Sequence, residues 1–211
     1  MLAVDAIRTS LVDHEPTVLS VDQVRHAAVA MVLTEGEAGA EVLFIERARH
    51  EGDPWSGHMA FPGGGVEASD PGGQGAAMRE THEEVGLRLD GAELLGRLDD
   101  KQGNPVRHPA LVISAYVFHV EQPGRLQINH EVQEAFWFPV HGLLDPARHV
   151  QYATHGELEF PGILVGEPDR HVVWGLTYSF LESFFHAIAS PLPDRWTEQM
   201  RAYSRELERE R

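Results

Sequence analysis

Cysteine is absent from the 211 residues, which removes disulfide frameworks, thiolate nucleophiles and zinc–thiolate sites. Positive charge is scarce: 17 Lys and Arg stand against 33 Asp and Glu, for a formal net charge of −16, and Lys101 is the only lysine. Such a balance argues against a nucleic-acid or anionic-membrane partner, because both are held through basic patches. No uninterrupted apolar run reaches 18 residues, so no membrane-spanning helix is expected. No lysine follows a glycine-rich loop in the Walker manner and no GxGxxG occurs, which disfavours the nucleotide-binding folds built on those motifs. Repeats, heptads and low-complexity tracts are missing too. Residues 1–16 lack the charged region and apolar core of a secretory signal, so a cytoplasmic protein is the expectation.

What the chain has is length and apolar content, 42% of the residues, enough for one domain over residues 1–211, with two small ones as the alternative. It also has one unusual stretch, FPGGGVEASDPGGQGAAMRETHEEVGL, from Phe61 to Leu87. Glycine loses the most conformational freedom on folding and is used where backbone bends or approaches a ligand, so Pro62 to Gly65 is expected to be a tight loop. From Gln74 the composition shifts to good helix formers, and Gly86 stands where a helix would stop, which predicts a helix over Gly75 to Val85.

At about 100° per residue, Glu80, Glu83 and Glu84 fall within an arc of roughly 100°. Like charges at three- and four-residue spacing repel, so the cluster asks for a cation. Arg79 projects to the side of the arc in this reading. A hard divalent ion fits better, because Mg2+ takes oxygen ligands and is commonly shared between a few carboxylates and substrate phosphates. Glutamate runs are usually solvated helix faces; the glycine loop beside this one favours the metal.

These residues resemble the Nudix box. Arg79, Glu80, Glu83, Glu84, Gly86 and Leu87 fit its pattern without a gap. Thr81 stands where the family prefers an apolar residue, and the spacing from Gly64 through Asp70 to Arg79 is one residue longer, with Asp for the usual Glu. That longer form with FPGG in front resembles the coenzyme A pyrophosphatase branch. Upstream, Arg47 and Gly57 are similar to an Arg and a His-x-Gly of that branch, although Trp55 replaces the His and the interval from Arg47 is one residue longer. Downstream, Trp174 to Tyr178 (WGLTY) is similar to its C-terminal region.

Along the chain, residues 1–21 read as a short helix and connector broken at Pro16. Strands are expected at His26–Leu33, Glu41–Arg47, Glu93–Leu98, Ala110–Val120 and within His130–Phe138, with shorter ones at Val150–Thr154 and Leu158–Val165. The segment 99–108, with Lys101 and Arg107, reads as a loop able to reach substrate or simply exposed. A buried helix is expected after Gly175, and residues 191–211 as a charged terminal helix or frayed tail.

The resemblance implies a Nudix-type α/β/α sandwich around a mixed sheet, with the box at about 61–87 and C-terminal helices at about 175–211. It implies a metal-dependent hydrolase of a nucleoside diphosphate linked to another moiety, with coenzyme A or a related compound as substrate. The alternatives are ADP-ribose, nucleotide sugars, dinucleoside polyphosphates and nucleoside triphosphates, or a nucleotide-sensing domain without catalysis. Glu80, Glu83, Glu84 and the Gly64 carbonyl are the expected ligands of Mg2+ or Mn2+. Glu80 or Glu131 is the expected base, with Glu134 a weaker substitute for Glu131. Arg47, Arg49, Gly63 and Gly64 are expected to bind substrate, since guanidinium groups grip phosphate oxygens in pairs. Arg79 and Asp70 are assigned to holding loop against helix. The expected partner is a small nucleotide and not nucleic acid or membrane, the protein acting as monomer or homodimer.

Overall fold

In the computed structural model, residues 2–50, 55–103, 110–153, 159–198 and 200–202 are described. Helix α1 (Val4–Leu11) precedes β1 (Arg25–Gly36), β2 (Gly39–Arg47), β3 (Met59–Ala60) and β4 (Gly63–Gly65). Then come α2 (Gly73–Val85), β5 (Glu93–Arg97), β6 (Lys101–Gln102), β7 (Leu111–His119) and β8 (Val132–Pro139). Two short 3-10 turns lead to β9 (His149–Ala153), β10 (Glu159–Leu164), β11 (Val172–Trp174) and α3 (Gly175–Ala187).

Strands β1 to β8 form one mixed sheet. Its centre is the parallel pair β1–β7, from Arg25 opposite Leu111 to Leu33 opposite His119. Strand β7 is buried at all but its last residue and β1 continuously from Ala30 to Thr34, which is why they read there as continuous β-branched and apolar runs rather than alternating ones. Strand β2 pairs antiparallel with β1, β3 and β8. Strands β9, β10 and β11 form a separate antiparallel sheet.

Two apolar layers lie on the two faces. On one, Ala76, Ala77 and Val85 of α2 pack with Ala28, Ala30, Val32, Leu43 and Ile45. On the other, Ile7 and Leu11 of α1 and Phe180, Leu181, Phe184 and Phe185 of α3 pack with Met31, Leu33, Val42 and Phe44. Each large side chain so buried contributes about 1.5–3 kcal/mol. Helix, mixed sheet and helix are thus stacked as the sandwich requires. None of the described helices is long and apolar enough to cross a membrane.

Three expectations need correction. Helix α1 stops at Leu11, well before Pro16. Residues 63–65 are not a loop but a short strand on the edge of β1, with Ala28 opposite Gly64. The glycines serve close approach there: a Cβ on Gly63 would lie 2.3 Å from the Ala28 carbonyl oxygen. Lys101 is on β6 and half-buried, its ammonium donating to Ser183 Oγ of α3 at 2.6 Å. It is turned toward the α3 face, away from α2; Arg107 lies outside the described residues.

Candidate active site

Helix α2 starts two residues earlier than its composition suggested, at Gly73, and ends where Gly86 adopts φ 71°. Its inner side carries Ala76, Ala77, Thr81, Glu84 and Val85. Thr81 takes an apolar position because its hydroxyl donates back to the Ala77 carbonyl at 2.7 Å, leaving only its methyl to the sheet.

Glu84 has a side chain 1% exposed, an arrangement a lone carboxylate avoids. Its Oε2 accepts from the Gly63 N–H at 2.9 Å, and its Oε1 lies 3.9 Å from Arg47 Nη1. Glu80 rests against β4: a Cβ on Gly64 would come within 2.4 Å of its Oε1. Burial pushes the Glu84 carboxyl up to about 8, with the charges of Glu80 and Glu131 adding to the effect and Gly63 and Arg47 opposing it. Burial also raises Glu80, against Arg79, while Glu83 and Glu131 push the same way as burial. Glu131, before β8, therefore acts on Glu80 and Glu84 of α2, and burial leaves Glu84 holding its proton near neutrality.

The expectation that Arg79 points away from the glutamates is overturned. Its Nε and Nη2 each donate to Asp70 at 3.0 Å, and Nη2 also reaches the Gly65 carbonyl at 3.0 Å. Its Nη1, however, donates to Glu80 Oε1 at 2.8 Å and Glu83 Oε2 at 3.3 Å. Glu83 leans back over the turn that carries Arg79, at the four-residue spacing, and the guanidinium is long enough to reach both it and the adjacent Glu80. The guanidinium holds the Asp70 carboxyl below the usual range. Glu83, with 52% of its side chain exposed, stands at the rim rather than beside Glu84.

Arg47, the last residue of β2, faces this cluster. Glu131 precedes β8 and is anchored by its main chain, its carbonyl accepting from Ala48 N–H at 2.8 Å and its N–H donating to Asn129 Oδ1 at 2.8 Å. Arg49 is exposed and lies beside Gly57, which adopts φ +72°. The geometry therefore gathers Glu80, Glu84, Arg47, Gly63 and Gly64, with Glu83 and Glu131 at the rim and Arg49 exposed beyond them.

A second group escaped the sequence reading: Glu46, Glu134 and His171, whose ligand-type atoms lie within 4.8 Å of one another. It sits on the opposite face of β2 from Arg47, because successive strand residues alternate. It does not suit a metal. His171 Nδ1 accepts from the Glu167 N–H at 3.0 Å, which assigns the ring proton to Nε2, the atom that faces the carboxylates. A metal-bound imidazole needs the reverse arrangement, its free nitrogen donating. Arg170 already occupies the carboxylates, with Nη2 2.6 Å from Glu46 and 2.9 Å from Glu134. The signal in the sequence is Glu46 itself, a charged residue ending an apolar strand. Glu134 belongs here and is no substitute for Glu131.

The NUDIX domain model matches residues 24–156. The chain belongs to the Nudix family. An uncharacterised protein of Schizosaccharomyces pombe is 40% identical over 110 residues, covering 50% of this chain and 33% of the relative. A probable Nudix hydrolase of the same yeast is 28% identical, covering 78% of this chain and 56% of the relative. This chain thus spans about a third and just over half of those two proteins. An uncharacterised Nudix hydrolase NudL of Yersinia pestis is 25% identical, with 66% of this chain and 68% of the relative covered. Among solved structures, a MutT/Nudix family protein of Enterococcus faecalis superposes with a TM-score of 0.54 at 18% identity, covering 89% of this chain and 70% of that one. That likeness concerns the Nudix fold.

Proposed function

We propose that this Nudix protein is a metal-dependent hydrolase that cleaves the pyrophosphate bond of a nucleoside diphosphate derivative. The observation that carries the reading is Glu84: a buried carboxyl, pushed up to about 8, between a glycine amide and an arginine and within the influence of Glu80 and Glu131. Such a cluster, in which Glu80, Glu83, Glu84 and Glu131 outnumber Arg47 and Arg79, suits a hard divalent ion. Glu80 and Glu84, with the Gly64 carbonyl, would hold it, and Glu83 and Glu131 complete the set from the rim. A bound Mg2+ or Mn2+ would supply charge neutralisation at phosphate oxygens and lower the pKa of water, so that it loses a proton to become the nucleophile.

The chain's own residues do the rest. A carboxylate oxygen of Glu131 or Glu80 accepts the proton of the attacking water. Arg47 grips a phosphate oxygen beside Glu84, and Arg49 approaches from the exposed rim. The Gly63 amide orients Glu84, and the Arg79–Asp70 pair ties β4 to α2 so that loop and helix carboxylates stay in register. A nucleotide-sensing domain without turnover is the competing reading; the intact Glu83–Glu84 pair favours the enzyme.

For the substrate we propose coenzyme A or a related compound, resting on the FPGG lead, the Asp70 spacing and the WGLTY segment. Incubating the protein with Mg2+ or Mn2+ and coenzyme A, dephospho-coenzyme A, ADP-ribose, a dinucleoside tetraphosphate and a nucleoside triphosphate, then separating products, tests both levels. Coenzyme A is expected to yield 3′-phospho-AMP and phosphopantetheine. Cleavage of ADP-ribose alone overturns the coenzyme A assignment, and no cleavage of any compound overturns the enzyme. The 3′-phosphate calls for a cation, for which Arg47 and Arg49 are the candidates among the described residues, since Lys101 is turned to the α3 face. Loss of one charge-assisted contact of about 1.5–3 kcal/mol raises KM roughly 10- to 100-fold.

A further inference from the structure

Strand β2 ends in Glu46 and Arg47, which face opposite sides of the sheet. Glu46 is only 2% exposed, and the residue paired with it on β8 is another carboxylate, Glu134. Like charges directly opposite one another destabilise a strand pair. Immediately beyond them the register slips: Arg47 pairs with Val132, so Gln133 is an extra residue and the ladder carries a bulge. Bulges re-aim the side chains around them and recur beside active sites. Here the residues on the far side of the bulge are Arg47, 3.9 Å from Glu84, and Glu131, whose carbonyl is tied to Ala48.

One side chain bridges the repelling pair. Arg170, in the turn before β11, donates from Nη2 to Glu46 Oε2 at 2.6 Å and to Glu134 Oε2 at 2.9 Å, and from Nε to Glu46 Oε2 at 3.0 Å. Its Nη1 donates to Glu167 Oε2 at 3.1 Å. Behind it the His171 ring packs on Phe136 of β8, with centroids 5.2 Å apart, and its Nε2 points at the same two oxygens from 3.6 and 3.4 Å. The planar guanidinium, with donors fixed in a fork, is suited to joining two carboxylates in a way an ammonium is not.

We propose that Arg170 is a positioning residue: by bridging Glu46 and Glu134 it pins the β2–β8 bulge and so sets where Arg47 and Glu131 enter the carboxylate cluster. It acts through the sheet, from the face opposite α2, and touches neither substrate nor the reacting atoms. The catalytic consequence rests on the hydrolase reading above; the structural consequence does not.

Charge compensation separates positioning from simple tethering of the 165–171 turn. In metal-free protein, hydrogen exchange of the amides at 45–48 and 131–135 is expected to be at least about tenfold faster in Arg170→Gln than in the wild type. In active protein, kcat is expected to fall roughly 10- to 100-fold with a smaller change in KM. The triple variant Glu46→Gln, Glu134→Gln, Arg170→Gln removes the repulsion together with the bridge, so its exchange rates and kcat are expected within about threefold of wild type. Arg170→Lys is expected between the two extremes. Unchanged exchange at these amides in Arg170→Gln, or a triple variant as impaired as the single one, overturns the proposal. Should Arg170→Gln not fold, the triple variant is still expected to, and its failure overturns the proposal as well. Because exchange is read without substrate, absence of any hydrolase activity leaves this test intact.

Discussion

Glu84 is a carboxyl whose folded environment resists its charge. In the unfolded chain it keeps the ordinary carboxyl value of 4.5, and in the folded, metal-free protein burial pushes it up to about 8. As pH rises from about 4.5 to 8 the unfolded state gives up this proton first, so stability falls across that window. Glu84→Gln cannot lose a proton there. In EDTA at pH 8 the variant is expected to melt at least about 2–4 °C above wild type, the shift that 1 kcal/mol produces at this chain length, with the advantage vanishing toward pH 4.5. The same substitution is expected to reduce turnover about 100-fold or more at saturating Mg2+; near-normal activity refutes the ligand assignment. Glu131 is, with Glu80, the proton acceptor proposed above. Glu131→Gln is expected to depress kcat by roughly 100-fold with little change in KM, as loss of a proton acceptor does. Steady-state kinetics with unaltered kcat removes it from the site.

At the scale of elements, three consecutive glycines of β4 make three different demands. A Cβ on Gly63 would strike the β1 backbone at 2.3 Å, on Gly64 would strike the Glu80 carboxylate at 2.4 Å, and on Gly65 would meet nothing within 4 Å. Gly63→Ala is therefore expected to cost about 1–3 kcal/mol of stability. Gly64→Ala is expected to keep its melting temperature within a few degrees while weakening Mn2+ binding, and Gly65→Ala to change neither. Melting curves and manganese titrations of the three variants decide the matter, and equal behaviour of Gly64 and Gly65 variants refutes the contact. This strip also marks the limit of reading the sequence. Glycines announce that backbone comes close to something, but whether that is a ligand, a side chain or a neighbouring strand depends on tertiary pairing. The α2 boundary at Gly86 and the grouping of Glu80 and Glu84 were legible because they rest on local periodicity. The reach of Arg79 to Glu80 was not, because helical angle places a Cβ and not the far end of a long, flexible side chain. Nor was the Glu46–Glu134–Arg170 group, whose members meet only when β2, β8 and the turn before β11 are brought together.

For the whole molecule, the family-matched segment ends well short of the core. Ile7 and Leu11 before it and Phe180, Leu181, Phe184 and Phe185 after it belong to the same apolar layer as Met31 and Phe44. A protein limited to residues 24–156 is expected to expose that sheet face and to lack a cooperative thermal transition by calorimetry or circular dichroism. A sharp transition in the fragment refutes the expectation, and with it the single-domain proposal for residues 1–211. The sandwich itself was expected from the resemblance and agreed with the order of strands and helices, whereas the separate three-stranded sheet β9–β11 was not foreseen, because nothing in its short strands says which sheet they join.

The parallel alignment of β1 with β7 also sets an order of assembly. Arg25 meets Leu111 and Leu33 meets His119, so the central ladder closes only after a large part of the chain has been drawn in, and the entropy of that closure precedes its reward. Residues 63–84, by contrast, bring β4 and α2 together through nearby contacts. The glutamate-bearing half of the site is thus built locally, while Arg47 and Glu131 reach it through strands paired over long distances. Refolding is expected to be rate-limited by sheet closure, with the two halves of the site brought together last.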